Sequence, residues 1–133
     1  MATPYQEKKI SDPLLNAGDK PYFDAANEGK LMVAKCGGCG EFHHYPRPLC
    51  PFCFSDKVSL VQAKGSGTIY TYSVSRRAGP IVYCIAYVKL DEGVTMMTNI
   101  VDCDLDSVKI GQKVKVVFKK SEGGTAVPMF APA

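Results

Sequence analysis

Two cysteine pairs constrain this chain more than any other feature of its sequence. Cys36 and Cys39 form one C-x-x-C pair, Cys50 and Cys53 form a second, and ten residues separate the pairs. Two such pairs can place four thiolates around one ion, which is the closed tetrahedral set that structural zinc takes. The segment between the pairs is rich in Gly and Pro and lacks hydrophobic periodicity, so it cannot bury enough surface to hold itself together. We therefore predict one structural zinc ion in a metal-stabilised ribbon.

Other uses of these residues are less consistent with the pattern. Two redox C-x-x-C motifs would need a βαβ context, which this segment lacks. A rubredoxin-like iron site uses the same four ligands and remains an alternative to zinc. Catalytic zinc keeps an open coordination position, and four cysteines leave none. His43 and His44 could in principle replace a cysteine, but we place them on an exposed loop between the pairs.

The rest of the sequence predicts a mainly β protein. Gly-, Pro- and Asp-containing turns separate strand-like runs at 68–75, 81–90, 94–101 and 113–119, and a tail at 126–133 carries hydrophobic anchors. Five short runs of this kind suit a small closed barrel, because closure removes exposed strand edges. We divide the chain into residues 1–30, an arm and a helix, residues 31–57, the ribbon, and residues 58–133, the barrel with its tail.

The N-terminal region predicts one short helix behind a polar arm. Pro21 suits a first helical turn that begins at Asp19 or Lys20, and Gly29 is a plausible stop. Tyr22, Phe23 and Ala26 fall on one face at helical spacing. Residues 1–18 carry only Leu14 and Leu15 as apolar anchors, so we expect an arm that is flexible alone or ordered on a partner.

Composition excludes several classes of function. The net charge of +3 permits an anionic partner without demanding one. No apolar run approaches the roughly 20 residues that cross a bilayer, so we predict a cytoplasmic protein without a membrane segment. Cys84 alternates with core-type residues and Cys103 ends a strand, so neither fits a nucleophile. Nothing in the sequence assembles a catalytic triad or an acid–base pair, and we predict no catalytic residue in this chain.

Two surface features suggest binding. In the run at 81–90 both strand faces are apolar, so the outer face is covered either by the chain's own helix or tail, or by a protein partner or apolar ligand. Arg76 and Arg77 lie in a Gly-Pro turn flanked by tyrosines. They form either a site for phosphate groups or a plain surface turn.

The order of these motifs resembles the zinc-ribbon and OB-fold proteins associated with thiolases and other acyl-CoA enzymes. The match begins at the aromatic helix, passes through both cysteine pairs and extends over nearly the whole chain. It rests on residues 21–31, 36–40, 45–48, 50–53, 65–68, 70–72, 88–93, 110–114 and 128–130. The resemblance implies an N-terminal helical arm, a rubredoxin-like zinc ribbon and a five-stranded OB-fold barrel.

The resemblance also implies a role. Members of this family act as small partners of thiolase-like subunits, which carry the catalytic residues and make or cleave carbon–carbon bonds in acyl-CoA or ketide substrates. We therefore expect a non-catalytic accessory subunit that docks on such a subunit and helps form its acyl-CoA site. Arg76 and Arg77 would meet the CoA phosphates. The side chains expected against the partner or the acyl group are Tyr70, Tyr72, Tyr83 and Tyr87.

The alternative function is a nucleic-acid-binding module. OB-fold barrels also bind single strands, by stacking bases on aromatic side chains along a basic groove. Tyr70, Tyr72 and the strand that carries Lys113, Lys115 and Lys119 could serve that purpose. The mild net charge and the lack of Trp favour the thiolase partner over nucleic acid.

Overall fold

The computed structural model describes residues 2–77 and 79–133, so Met1 and Ala78, in the predicted basic turn, lie outside the described residues. The only α-helix in these ranges, α1, spans Asp19–Asn27, with Pro21 in its first turn. Tyr22 and Ala26 are buried and Phe23 is half-buried, which confirms the predicted aromatic face. No helix in the described part of the chain is long and apolar enough to cross a bilayer.

A three-stranded antiparallel sheet carries the cysteine ribbon. Its strands are β1 (Met32–Cys36), β2 (Phe42–His43) and β3 (Val58–Gln62), in the order β2-β1-β3. Val33, Ala34 and Cys36 of the central strand are fully buried. The predicted division places residue 58 and those after it in the barrel, whereas β3 pairs with β1 over its whole length and extends the ribbon.

The second sheet is a closed five-stranded barrel, which confirms the predicted fold class. Its strands are β4 (Ser66–Ser75), β5 (Tyr83–Leu90), β6 (Thr95–Ile100), β7 (Lys113–Lys120) and β8 (Ala126–Pro132). The strand order is β4-β5-β6-β8-β7, and every pair is antiparallel except β6–β8. The β6–β8 contact is parallel and is made at Ile100 and Phe130. The predicted tail is therefore the strand that closes the barrel.

The barrel interior is filled by alternate residues of its strands. Cys84, Ala86, Val88 and Leu90 of β5 point inward and are buried, as the sequence pattern predicted. Gly67 permits the close approach of β4 to its antiparallel neighbour β5, because a Cβ atom there would lie 2.7 Å from the Lys89 carbonyl oxygen. Tyr22, Leu31 and Val33 join the same hydrophobic core, so the helix and the ribbon pack onto the barrel.

The N-terminal arm lies along the barrel, and the prediction that Leu14 and Leu15 anchor it was wrong. Leu14 is 92% exposed, and the arm is held by side-chain hydrogen bonds, such as that from the Ser121 hydroxyl to the Asp12 carboxylate, and by backbone hydrogen bonds. The Tyr5 N–H donates to the Cys103 carbonyl at 2.9 Å, and the Glu122 N–H donates to the Ile10 carbonyl at 2.9 Å. Such bonds depend on backbone position, so the side-chain pattern could not reveal them.

Candidate metal centre and docking surface

The structure brings the four predicted metal ligands together. The sulfur atoms of Cys36, Cys39, Cys50 and Cys53 all lie within 4.8 Å of one another. The Cys36 and Cys53 sulfurs are 3.5 Å apart, and those of Cys39 and Cys50 are 3.7 Å apart. Tetrahedral thiolates at about 2.3 Å from zinc stand about 3.8 Å from each other. The sulfur cluster therefore fits the first coordination shell of a zinc ion.

Backbone N–H groups also prepare the cysteines for a metal. The Cys39 and Gly38 N–H groups donate to the Cys36 sulfur, and the Phe52 N–H donates to the Cys50 sulfur. These donors favour the thiolate, and they lower the pKa of Cys36 to about 6. Metal ligation requires deprotonated sulfur, and Cys36 favours that state before any ion arrives, whereas desolvation and the neighbouring sulfurs raise the pKa values of Cys39 and Cys53.

The two histidines are buried, which corrects their predicted place on an exposed loop. His43 belongs to β2, and its Nδ1–H donates to the Tyr45 carbonyl at 2.7 Å. The His44 Nε2 atom lies 2.8 Å from the Tyr22 hydroxyl oxygen, so a buried hydrogen bond joins the ribbon to α1. Burial lowers the pKa of His44 to about 4, so this imidazole is neutral at pH 7. Both side chains have structural partners, and neither belongs to the cysteine cluster.

The thiolate form is disfavoured at the two remaining cysteines. Cys84 lies in the barrel core, where burial raises the pKa of its thiol to about 11. Burial also raises the pKa of Cys103, and the negative charges of Asp104 and Asp102 raise it further. A protonated thiol is a poor nucleophile. Cys84 therefore acts as a small buried core residue and Cys103 as a half-buried one.

The structure separates the predicted tyrosines into different environments. Tyr87 is 45% exposed and lies on the outer face of β5, whereas Tyr83 is half-buried beneath Lys8 of the arm. Tyr70 is 66% exposed at a register shift of β4, and Tyr72 pairs in register with Ala86. The arm therefore covers part of the outer face at Tyr83 and leaves the part near Tyr87 open.

The two predicted phosphate-binding arginines also differ from each other. The Arg76 guanidinium forms an ion pair with Asp106 and donates a hydrogen bond to the Thr3 hydroxyl, so it helps hold the arm. Arg77 is exposed, and it has no ion pair among residues 2–77 and 79–133. Of the two, Arg77 is the more available to an anionic group.

A cleft between ribbon and barrel was not predicted from the sequence as a unit. Tyr87 and Met97 are neighbours across β5 and β6 on the barrel side, and Tyr45 and Phe52 face them from the ribbon. The cavity between these residues has a volume of about 390 Å³. Met97, Phe52 and Tyr45 are each about half exposed or more. We call this set, together with Ile85 beside Tyr87, the ribbon–barrel surface.

Family models match both parts of this architecture. The model described as the rubredoxin-like zinc ribbon domain of ChsH2 matches residues 23–59, and the model of the C-terminal OB-fold domain of ChsH2 matches residues 60–119. The chain belongs to this family. The match confirms the resemblance inferred from the motifs. The four clustered cysteines lie within the residues that match the zinc ribbon domain.

Two proteins with similar sequences carry descriptive names. The chain is 32% identical over 125 residues to a probable enoyl-CoA hydratase alpha subunit of Thermomonospora curvata, covering 91% of this chain and 39% of that protein. The chain therefore spans about two-fifths of that relative's length. It is also 37% identical over 96 residues to a DUF35 domain-containing scaffold protein of Methanothermobacter thermautotrophicus, covering 68% of this chain and 72% of that protein.

A solved structure shares the complete arrangement. The chain superposes on a chain of the Ltp2-ChsH2(DUF35) aldolase with a TM-score of 0.78 and 31% sequence identity. The alignment covers 91% of this chain and 98% of that chain. The helix, ribbon and barrel of this ChsH2-like chain thus form one conserved structural unit of the two proteins.

Proposed function

We propose that this chain is a non-catalytic accessory subunit of a thiolase-like enzyme that makes or cleaves carbon–carbon bonds in acyl-CoA substrates. The ribbon–barrel surface is the observation that supports it most directly. The names of two relatives support an enzyme partner: the Ltp2-ChsH2(DUF35) aldolase supports carbon–carbon bond chemistry, and the probable enoyl-CoA hydratase alpha subunit supports an acyl-CoA substrate. Because we predict no catalytic residue in this chain, the proposal assigns the chemical step to the partner subunit.

The ribbon–barrel surface suits a protein partner because of its composition. Aromatic residues and Met are enriched where protein interfaces bury surface, and this set includes two tyrosines, a phenylalanine and a methionine. Zinc held by the four cysteines would fix the ribbon side of the cleft, and the barrel sheet fixes the other side. Both walls are therefore preorganised, which lowers the entropic cost of binding.

Co-purification tests this docking. A tagged chain carrying Met97→Lys would place a charge in the buried centre of the interface, and we expect at least a tenfold loss of the co-purified catalytic subunit. Ile110→Lys is the matched control, because Ile110 is 68% exposed and lies outside the ribbon–barrel surface. Equal recovery with both variants would remove this surface from the proposal. Recovery of no thiolase-like protein with the unaltered chain would overturn the function itself.

The acyl-CoA contact is a separate part of the proposal. Arg77 and, to a smaller extent, Arg76 would meet CoA phosphates, since the Arg76 charge is already paired with Asp106. In the reconstituted complex, Arg77→Ala should raise the KM for acyl-CoA more than Arg76→Ala does, with kcat unchanged. Lys109→Ala provides a control for the loss of one exposed positive charge. An unchanged KM in both arginine variants would take them out of the site.

Nucleic-acid binding is less well supported. The open outer face of β5 and β6 presents apolar side chains such as Ile85 and Met97. Lys119 of the proposed basic strand is neutralised by ion pairs with Glu7 and Asp102. Lys113 and Lys115 are exposed and have no ion pair among residues 2–77 and 79–133, but two lysines give a short basic row for a single-strand groove. Salt-sensitive recovery of nucleic acid in the co-purification would favour that alternative.

A further inference from the structure

The barrel seam between β6 and β8 is paired at one end only. The two strands meet in register at Ile100 and Phe130, where the Val101 N–H donates to the Phe130 carbonyl at 2.8 Å. Pro128 gives the reason, because it lies two residues before Phe130 on the same edge of β8 and has no N–H to donate. Among residues 2–77 and 79–133, no strand pairs with Thr95–Asn99 of β6 on its β8 side.

The backbone groups on this open side belong to alternate residues of β6. The Leu90 N–H donates to the Val94 carbonyl at 2.7 Å, and bonded pairs alternate along antiparallel strands, so the even-numbered residues of β6 bond to β5. Thr95, Met97 and Asn99 therefore direct their N–H and C=O groups away from β5. Within the described ranges, the N–H groups of Thr95 and Met97 have no hydrogen-bond acceptor.

The open edge of β6 lacks the features that usually keep sheet edges from pairing. Proteins protect exposed edges with lysine, proline or a β-bulge. Residues 95–99 read Thr-Met-Met-Thr-Asn, carry no charge and pair with β5 without a register shift. The side chains of Thr95 and Met97 are exposed. A row of free backbone donors and acceptors of this kind is completed by an extended polypeptide.

Two adjoining cavities leave room beside this edge. One, of about 210 Å³, lies between β6 and β8 and is bounded by Met97 and Asn99 on the β6 side. The other is the cavity of the ribbon–barrel surface, which includes Thr95 and Met97. Tyr45 lines both cavities. The open edge is therefore continuous with the surface that we propose for the catalytic subunit.

We propose that an extended segment of the catalytic subunit adds to the barrel as a further strand along Thr95–Asn99 of β6. Its backbone pairs with the free groups of Thr95 and Met97, and its alternate side chains enter the apolar space between Met97 and Tyr45. This inference rests on the proposed function, and it adds the means by which the catalytic subunit is held.

The outer edge of β3 supplies a control within the same molecule. β3 is an edge strand of the ribbon sheet. The Ala63 N–H donates to the Leu31 carbonyl, which sets the odd-numbered residues of β3 against β1 and turns the Leu60 N–H outward. No residue of β3 lines either cavity beside β6. A partner that docks on the ribbon–barrel surface should leave the Leu60 amide unchanged.

Residue-resolved hydrogen exchange, on the chain alone and in the co-purified complex, tests the added strand. In the free chain, the Met96 and Thr98 amides should exchange slowly, because they bond to β5, whereas those of Thr95 and Met97 should exchange fast. In the complex we expect exchange at Thr95 and Met97 to slow by at least about tenfold, with Leu60 unaffected.

Proline variants test the same backbone donors by affinity. Met97→Pro removes the N–H, and proline is tolerated on the free side of an edge strand, whereas Met97→Ala removes the side chain and keeps the N–H. We expect Met97→Pro to weaken binding of the catalytic subunit about tenfold more than Met97→Ala, because a buried acceptor in the partner loses its donor. Thr95→Pro and its matched control Thr95→Val repeat the comparison at the second donor.

The contrary results separate this inference from the proposed function. Fast exchange of both amides in a complex that contains the catalytic subunit would overturn the inference alone, as would equal affinities of the proline variants and their controls. Protection at Leu60 instead of Met97 would place the contact on the ribbon edge. Protection in the free chain that grows with its concentration would place a second copy on β6. Recovery of no thiolase-like protein with the unaltered chain would overturn both.

Discussion

The ribbon and the barrel reach a defined shape by different physical means. The barrel encloses Phe130, Ile69 and Ile100, and apolar burial stabilises it. The ribbon exposes its own large apolar residues, with Phe52 61% and Phe54 76% accessible, and depends on the cysteine cluster. Phe54 even adopts a positive φ of 64°, which is unusual for an aromatic residue. Val33 of β1 still joins the core, but a metal held by the cysteine cluster would let Phe52 and Phe54 stay outside it and available for binding.

Removal of the metal should give the largest difference in stability between the ribbon and the barrel. A structural zinc ion contributes about 10–16 kcal/mol in zinc-finger peptides, which exceeds what the small ribbon sheet can supply alone. With a strong chelator we expect the amide signals of β1, β2 and β3 to lose dispersion while those of β5 and β7 keep it. Bound metal is measured by elemental analysis, which also distinguishes zinc from iron. Simultaneous collapse of both sheets would show that the barrel depends on the metal as well.

Truncation of a core side chain should instead destabilise the barrel and leave metal binding unchanged. Phe130→Ala removes the largest fully buried side chain, and substitutions of this kind cost about 3–5 kcal/mol. We expect a fall of that size in the urea unfolding free energy, with metal stoichiometry unchanged in the folded protein. Phe52→Ala is the matched control and should leave stability within about 0.5 kcal/mol. A large loss in the control would mean that Phe52 has core contacts in solution.

The pH dependence of stability tests whether His44 is buried as a neutral ring between the ribbon and α1. Its folded pKa of about 4 lies below the usual value of about 6.5, so the unfolded chain takes up the proton first. The stabilisation is therefore complete above pH 6.5 and is lost as the pH falls toward 4. Between pH 7.5 and pH 5 we expect a loss of about 2 kcal/mol from this residue.

The measurement compares urea unfolding of the unaltered chain with His44→Phe across that pH range, with bound metal monitored at each point. The variant lacks the titrating ring, so its stability should change less with pH. Parallel curves for the two proteins would mean that His44 is accessible to protons in the folded state.

The smallest expected effect concerns the hydrogen bond itself. Tyr22→Phe removes the hydroxyl that meets His44 Nε2 and leaves that buried nitrogen unpaired, which costs about 1–3 kcal/mol. Tyr5→Phe, at a half-buried position of the arm, serves as control for removing a tyrosine hydroxyl. Chemical denaturation gives both values. Equal values would indicate that water replaces the Tyr22 hydroxyl.

The sequence predicted those features that are determined by local spacing. The cysteine cluster follows from two short motifs, and the core face of β5 follows from alternation at Cys84, Ala86 and Val88. The burial of His44 was missed, because its partner Tyr22 lies far away in the chain. The ribbon–barrel surface was missed as a unit for a similar reason. Its members Tyr45, Phe52 and Met97 come from separate segments, and only Tyr87 was predicted to contact a partner or the acyl group.

The position of β8 has a consequence for synthesis on the ribosome. β8 is the last barrel strand to be made, yet it lies between β6 and β7. Until it leaves the exit tunnel, both neighbours present open edges that can pair with other chains. The ribbon strands and the four cysteines of the metal cluster emerge earlier and can take up metal first. A nascent chain would therefore carry a finished ribbon beside an unclosed barrel, and that interval is when it is most exposed to aggregation.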